Sequence, residues 1–381
     1  MIVSPVDMVV LVLYFGCMAA MGPWFASKSR TTEGYFLGDR SFPGWLVGFA
    51  MFATSISSIT FMAYPADAYK TAWLRMLPNL TLPIVVLMAS QIFLPFFRRG
   101  RITSAYEYLE GRFGPSVRLY AACAFIIAQV IRISLILFLV SQLVEQVTGL
   151  PPFYSVIIGG TITSFYTITG GIRAVLWTDF IQAIVLWVGG LICIFVIAMH
   201  LGGPFEGIAE IIRTAVADGK FAFAELNEQT GQLEPVPRGF DLTQKTVLLM
   251  LLMGMGNWIY EYSGNQNVVQ RYCASRSPKD ARLAMWICCW FSVPTWALFM
   301  FVGTALYVFY QHFPNPDALA MLTGEGGDKA EGILPFFVVH RLPIGVTGLV
   351  IAAVLAAAMS SISSSINGVC AVSIVDVYKR W

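Results

Sequence analysis

Two hydroxyl-rich stretches interrupt apolar sequence, and their spacing could build a cation site. The stretches are 54–60 and 360–367. Since positions i, i+3, i+4 and i+7 share one helix face, one stripe holds Ala53, Ile56, Ser57 and Thr60, and another Ala357, Ser360, Ser361 and Ser364. Backbone carbonyls and hydroxyls form an all-oxygen cage that indicates Na⁺ rather than Zn²⁺ or Ca²⁺. The alternative is that the hydroxyls only join helices together.

Two charged residues also fall inside apolar stretches. Asp179 lies within 173–200, and Arg132 lies near the middle of 117–148. Ionisable groups at membrane depth are costly, so functional use is the default interpretation. Asp179 could bind an ion, pair with Arg132 or cap a kinked helix. Arg132 needs a nearby anion, which could be Asp179, Glu145 or the carboxylate of a bound solute.

The composition indicates that a bilayer positions these residues. The chain has 381 residues, of which 57% are hydrophobic and 12% charged, whereas a soluble globule needs more surface charge. Stretches of about 20 apolar residues can cross a bilayer as helices. The predicted spans are 6–26, 43–66, 74–97, 117–148, 152–171, 173–200, 244–263, 283–310 and 343–375. They form one transmembrane domain, 1–381, with outer loops 201–243 and 311–342 as candidate lids.

The positions of the Lys, Arg and His residues predict the orientation of the protein and argue against nucleic-acid binding and catalysis. Most Lys and Arg residues, Arg271 among them, would lie inside if the N-terminus is outside, which predicts a multi-pass protein of the cell membrane in that orientation. No basic stripe is available for nucleic acid. The three histidines fall at span ends or in outer loops, so an intramembrane hydrolase would lack a histidine base, and we predict that the protein is not an enzyme.

Five stretches spread over the chain carry a resemblance to a known family. They are 52–62 (FATSISSITFM), 103–113 (TSAYEYLEGRF), 170–182 (GGIRAVLWTDFIQ), 268–272 (VVQRY) and 356–367 (AAAMSSISSSIN). The sequence resembles the sodium/solute symporter family, and within it the bacterial sialic acid symporters. The resemblance implies an all-α, polytopic fold in which five core helices precede five of inverted topology. An extra N-terminal helix, 6–26, would stand in front of them. The broken helices of the two repeats would be 43–66 and 244–263, and the chain would be truncated after the eighth core helix.

The resemblance also implies site residues. A first Na⁺ site would use main-chain oxygens of Ala53, Ile56 and Ala357 with the hydroxyls of Ser360 and Ser361. A second would use Ser57, Thr60, Asp179, Ser363 and Ser364. The solute would contact Ser55, Ser57, Thr60, Arg75, Asn79 and Arg132. The family usually has an aromatic residue and a glutamine where this chain has Arg75 and Asn79, which leaves the solute's identity open.

Together these observations predict a secondary active transporter. Na⁺ would drive symport of a small anionic solute, a carboxylated sugar such as sialic acid, by alternating access. The alternatives are symport of a neutral sugar or another monocarboxylate, a non-transporting Na⁺-linked sensor, a channel, and proton coupling through Asp179. The expected partners are sodium ions, the solute and the lipid bilayer, with the protein acting as a monomer.

Overall fold

The computed structural model describes residues 4–26, 31–99, 104–227, 229–323 and 330–379, which are mainly helical. The first helices are α1 Pro5–Ala26, α2 Thr32–Leu37, α3 Gly44–Ser55, α4 Ser58–Lys70, α5 Leu82–Gln91, α6 Phe93–Arg99, α7 Glu107–Phe113, α8 Pro115–Thr148 and α9 Pro152–His200. They are followed by α10 Pro204–Ala217, α11 Val247–Ser263, α12 Gln266–Cys273, α13 Pro278–His312, α14 Pro316–Thr323, α15 Ile333–Arg341 and α16 Val346–Val372. Strands β1 Ala224–Leu226 and β2 Leu233–Pro235 form an antiparallel pair between α10 and α11.

Within the described ranges, six helical segments are long and apolar enough to cross a membrane. They are Pro5–Ala26, Trp73–Arg99, Pro115–Glu145, Pro152–His200, Pro278–His312 and Val346–Tyr378. The pair α3 and α4, bent by 56° at its break, would add a seventh crossing. The predicted span 244–263 is occupied by α11, whose 17 residues make it shorter than these segments.

A glycine divides α9 into two helices. α9 has 49 residues, more than twice the length that crosses the hydrocarbon core. Its backbone leaves the helical region at Gly171, with φ 57° and ψ −156°, between the predicted spans 152–171 and 173–200. A Cβ at this position would lie 2.9 Å from both Cδ2 and the carbonyl oxygen of Tyr35. Both the positive φ and the close approach therefore require glycine here.

α16 lies at the centre of the molecule. It packs against α9, α8, α1 and α3 and is buried along almost its whole length. Small side chains permit this close packing: a Cβ at Gly189 of α9 would collide with that of Ala353 on α16. The N-terminal end of α16 is held by α1, because the Asp7 carboxylate accepts hydrogen bonds from the backbone N–H groups of Gly345 and Gly348 at 2.8 and 2.7 Å.

Two breaks between consecutive helices free backbone groups from helical hydrogen bonding. Between α3 and α4, Ile56 and Ser57 adopt extended conformations. This break frees carbonyl groups at the end of α3 from the helical ladder. The second break separates α11 from α12, where Gly264 follows α11 and the Asn265 side chain accepts from the N–H of Asn267. Unlike α11, α12 is buried at every position.

Candidate sodium and solute site

The structure brings together all five residues predicted for the first sodium site. The Ser360 hydroxyl donates to the carbonyl of Ala53 at 3.0 Å and to that of Ala357 at 3.1 Å. The Ser361 hydroxyl donates to the carbonyl of Ile56 at 3.3 Å. All five residues are buried. Three carbonyl oxygens and two hydroxyls thus converge where the α3–α4 break meets α16.

This arrangement has the chemistry of a monovalent cation site. The hydroxyl hydrogens now point at carbonyl oxygens, but a hydroxyl also carries lone pairs and can rotate to present them. With a cation between the helices, all five groups would act as oxygen ligands. None of them carries a formal charge, which suits a singly charged ion better than a divalent one.

Only part of the predicted second site comes together. The Ser363 hydroxyl donates to Asp179 Oδ1 at 3.4 Å, and the Ser364 hydroxyl lies 2.9 Å from Thr54 Oγ1. Ser57 and Thr60 lie at the start of α4, and no hydrogen bond among the described residues joins either of them to Asp179. The cluster therefore consists of one acid on α9 and two serines on α16.

The partner of Asp179 is Arg271, which the charge distribution predicts to lie in an inner loop. Its guanidinium Nη2 lies 2.8 Å from Asp179 Oδ2, and the two side chains are 2% and 0% exposed. The same nitrogen donates to the Ser364 hydroxyl at 2.5 Å. The interpretation that Asp179 pairs with Arg132 is thus wrong. The VVQRY stretch contains Arg271 and carries part of the family resemblance, so it could have indicated a role for this residue beside Asp179.

Arg132 contacts the helix break between α3 and α4. Its Nη2 donates to the carbonyl of Thr54 at 3.1 Å. Its charge also acts on the carboxylate of Glu261 on α11. Among the described residues it forms no ion pair within 4 Å. Most of the five guanidinium donors therefore remain available for a solute carboxylate beside the first sodium site.

Arg75 and Asn79 lie in a separate polar cluster. Both belong to the 3₁₀ segment Trp73–Thr81. Arg75 forms an ion pair with Asp67 of α4 and lies over the ring of Tyr64. Asn79 donates to the Tyr64 hydroxyl at 2.8 Å. No hydrogen bond among the described residues joins this cluster to Arg132. The predicted solute residues therefore form two groups. Arg75 and Asn79 lie here, and Ser55, Ser57, Thr60 and Arg132 lie at the α3–α4 break.

A lysine from the loop after α10 is hydrogen-bonded to the C-terminal end of α4. Lys220, which follows α10, donates to the carbonyls of Tyr69 and Thr71 at 2.8 and 2.9 Å. Its ammonium also lies 3.7 Å from the centre of the Tyr307 ring. Burial lowers the pKa of Lys220 to about 7, while nearby Asp218 opposes that shift. The loop predicted as a lid is thus attached to the C-terminal end of α4.

Comparison with known proteins decides the family. The model of the sodium:solute symporter family matches residues 35–381. The chain belongs to this family. The sodium/sialic acid symporter of Proteus mirabilis (strain HI4320) is 33% identical over 375 residues, which are 98% of this chain and 71% of that protein. The human sodium-coupled monocarboxylate transporter 1 is 29% identical, over 95% of this chain and 57% of that protein.

Solved structures confirm the expected all-α, inverted-repeat fold. A substrate-bound, outward-open Na⁺-coupled sialic acid symporter superposes with a TM-score of 0.89 and 32% identity, covering 99% of this chain and 75% of that one. Mhp1, a nucleobase-cation-symport-1 transporter, shares the fold with a TM-score of 0.56 and 16% identity. The symporter is a multi-pass membrane transporter rather than an enzyme, and sodium is its coupling ion.

Proposed function

We propose that this symporter drives entry of a carboxylated sugar such as sialic acid with a sodium ion bound between the α3–α4 break and α16. The observation that carries the proposal is the pair of hydrogen bonds from Ser360 to Ala53 and from Ser361 to Ile56. These bonds join the broken α3–α4 helix to the almost fully buried α16, so a ligand bound here would affect the relative position of the two. The first Na⁺ site would comprise Ala53, Ile56, Ala357, Ser360 and Ser361.

Coupling follows if both ligands favour the same conformation. A cation shared by α3 and α16 would order the break at Ile56, where the carbonyl of Thr54 already contacts Arg132. Arg132 would then be held in position for the solute. One charge moving down 100 mV supplies about 2.3 kcal/mol, and a tenfold Na⁺ gradient adds about 1.4 kcal/mol. Because a monoanionic solute cancels the charge of one Na⁺, the first ion supports only about tenfold accumulation through its gradient, whereas a second ion would add more than about a hundredfold.

The guanidinium of Arg132 supports an anionic solute. Sialic acid carries a carboxylate, which matches the fork of a guanidinium in a bidentate contact. The similar proteins from Proteus mirabilis and Aliivibrio fischeri are named sodium/sialic acid symporters. Arg75 adds no net attraction for a second anion, because Asp67 neutralises it. Another monocarboxylate is the second candidate, since the human relative is named a monocarboxylate transporter.

We further propose a second Na⁺ at Asp179, Ser363 and Ser364, with Ser57 and Thr60 joining in another conformation. A carboxylate in the membrane interior with two neighbouring serines supports this site. Proton coupling through Asp179 is the alternative. The N-terminus would lie outside, and the protein would work as a monomer within the lipid bilayer, with Ser55 and Asn79 contributing to the solute pocket.

Uptake into proteoliposomes tests the proposal. With an inward Na⁺ gradient, labelled sialic acid should accumulate above the outside concentration, and collapse of the gradient should abolish this. A sensor would bind the solute without accumulation, and a channel would only equilibrate it. Accumulation that persists without Na⁺ in a proton gradient would instead show proton coupling. A panel of neutral sugars and small carboxylates in the same vesicles would define the solute class.

A further inference from the structure

Arg271 occupies the oxygens that a second sodium ion would need. Its Nη2 is 2.8 Å from Asp179 Oδ2 and 2.5 Å from Ser364 Oγ. The Ser364 hydroxyl donates its hydrogen to the carbonyl of Ser360 at 2.6 Å. The carboxylate and hydroxyl that would form the centre of a second site thus already bind a cation, one that is covalently attached to α12.

The guanidinium and a sodium ion exclude each other at this position. Both would contact Asp179 within about 3 Å, and two like charges so close in a low-dielectric interior repel strongly. Burial prevents water from screening that repulsion, because the side chains of Arg271 and Asp179 are almost fully enclosed. Asp179 can therefore be neutralised by one cation or the other, but not by both.

The pairing of Arg271 also leaves a donor unsatisfied. Nη1 donates to the carbonyl of Asn267 at 3.0 Å, but Nε is buried without a hydrogen-bond partner. An unpaired buried donor costs about 1–3 kcal/mol, so the pair is less stable than its distances suggest. A competing cation would have that much less binding energy to overcome.

We propose that Arg271 is a tethered cation that holds the second sodium position and must leave before that ion can bind. The inference rests on the proposed second site at Asp179, Ser363 and Ser364. Asp179 then never remains unpaired in the membrane, because guanidinium and Na⁺ replace one another.

The location of Arg271 gives this exchange a structural consequence. α12 is fixed by Gln270, whose amide donates to the carbonyl of Phe36 at 2.7 Å and to Asn367 at 2.8 Å. Arg98 of α6 donates to the carbonyl of Ser275, just beyond α12, at 2.8 Å. Release of Arg271 would weaken the attachment of α12 to α9 and α16. Binding of the second ion is therefore coupled to the position of α12.

Equilibrium binding of ²²Na⁺ alone to the purified full chain tests the proposal, with Arg271→Gln as the variant. In the wild type, Na⁺ can bind the second site only in the fraction of molecules from which Arg271 has left. Without Arg271 the site is free in every molecule, so the apparent Na⁺ affinity rises by one divided by that fraction. If that fraction is about one tenth or less, the weaker of two Na⁺ affinities should increase about tenfold or more. Arg118→Gln is the matched control: Arg118 is another largely buried arginine, paired with Asp376 and Glu110 at 2.7 Å, and its loss should leave both affinities unchanged.

Two results would overturn the proposal. The first is that Arg271→Gln binds Na⁺ at the second site with unchanged or weaker affinity, while the wild type still binds Na⁺ at the first site and transports the solute. That result would leave the proposed function intact. The second applies if Arg271→Gln unfolds. If adding the Asp179→Asn substitution restores its stability but saturating Na⁺ does not, Na⁺ cannot replace the guanidinium. Rescue by saturating Na⁺ would support the exchange. Absence of all Na⁺ binding in wild type would instead contradict the proposed function itself.

Discussion

Ser361→Ala should weaken sodium dependence while leaving the fold nearly intact. The Ser361 hydroxyl makes one hydrogen bond, to the carbonyl of Ile56 at a long 3.3 Å. Loss of a neutral hydrogen bond costs about 0.5–1.5 kcal/mol, so the free energy of unfolding should change little. A bond from a polar group to an ion is worth about 1.5–3 kcal/mol, which corresponds to roughly 10- to 150-fold in Na⁺ affinity.

The assay is the Na⁺ concentration that gives half-maximal solute uptake in proteoliposomes. Ser365→Ala is the matched control, because Ser365 lies one turn further along α16, is buried, and donates instead to Gln129 at 2.7 Å. The control should keep the wild-type Na⁺ requirement. If Ser361→Ala and Ser365→Ala show the same Na⁺ requirement as wild type, the assignment of the hydroxyl as a ligand is refuted.

Three further predictions concern the solute, the loop after α10 and the α9 kink. Arg132→Ala should reduce uptake of a carboxylated solute by about a hundredfold. Arg132→Lys should recover only part of this uptake, because an ammonium group cannot bind a carboxylate in bidentate fashion. Equal uptake by the two variants would show that Arg132 has a structural role. The pKa of Lys220 is lowered to about 7, so between pH 7 and the ordinary lysine pKa the unfolded state binds a proton that the folded state lacks. Stability should therefore rise with pH in that window. Lys220→Met should flatten this rise in thermal melts, and an unchanged slope would refute burial of Lys220 as its cause. Gly171→Ala should destabilise the protein by about 1–3 kcal/mol because φ is positive, and a melting temperature equal to wild type would contradict the strained geometry.

The residues proposed for the first sodium site could be selected from the sequence because their signals are local. Ala53 and Ile56 sit in one short polar interruption, while Ala357, Ser360 and Ser361 fall on one stripe of a single helix. Helix periodicity alone places the α16 group on one face, whereas Ile56 and Ser57 are extended in the structure, so the predicted helical stripe of Ala53, Ile56, Ser57 and Thr60 is interrupted there. That the two faces meet required the resemblance, and the cross-helix hydrogen bonds now show the contact directly.

Arg271 was missed because its burial depends on long-range packing. The segment 265–271 is rich in amides and ends in a charge, so hydropathy places it in water. In the structure those amides are satisfied by other helices, with Gln270 bonded to Phe36 and Asn367. Similarly, Asp67 lies in α4 and Arg75 in the 3₁₀ segment that follows it, so no regular helix spacing predicts their ion pair.

The most direct test of the account is ²²Na⁺ binding without solute to the Ser360→Ala/Ser361→Ala double variant. Two of five proposed oxygen ligands are then removed from a site that is otherwise built from backbone carbonyls. We predict that the double variant retains its helical content and melting cooperativity but loses saturable high-affinity Na⁺ binding. Undiminished binding in a well-folded double variant would contradict the claim that the α3–α4 break and α16 hold the coupling ion.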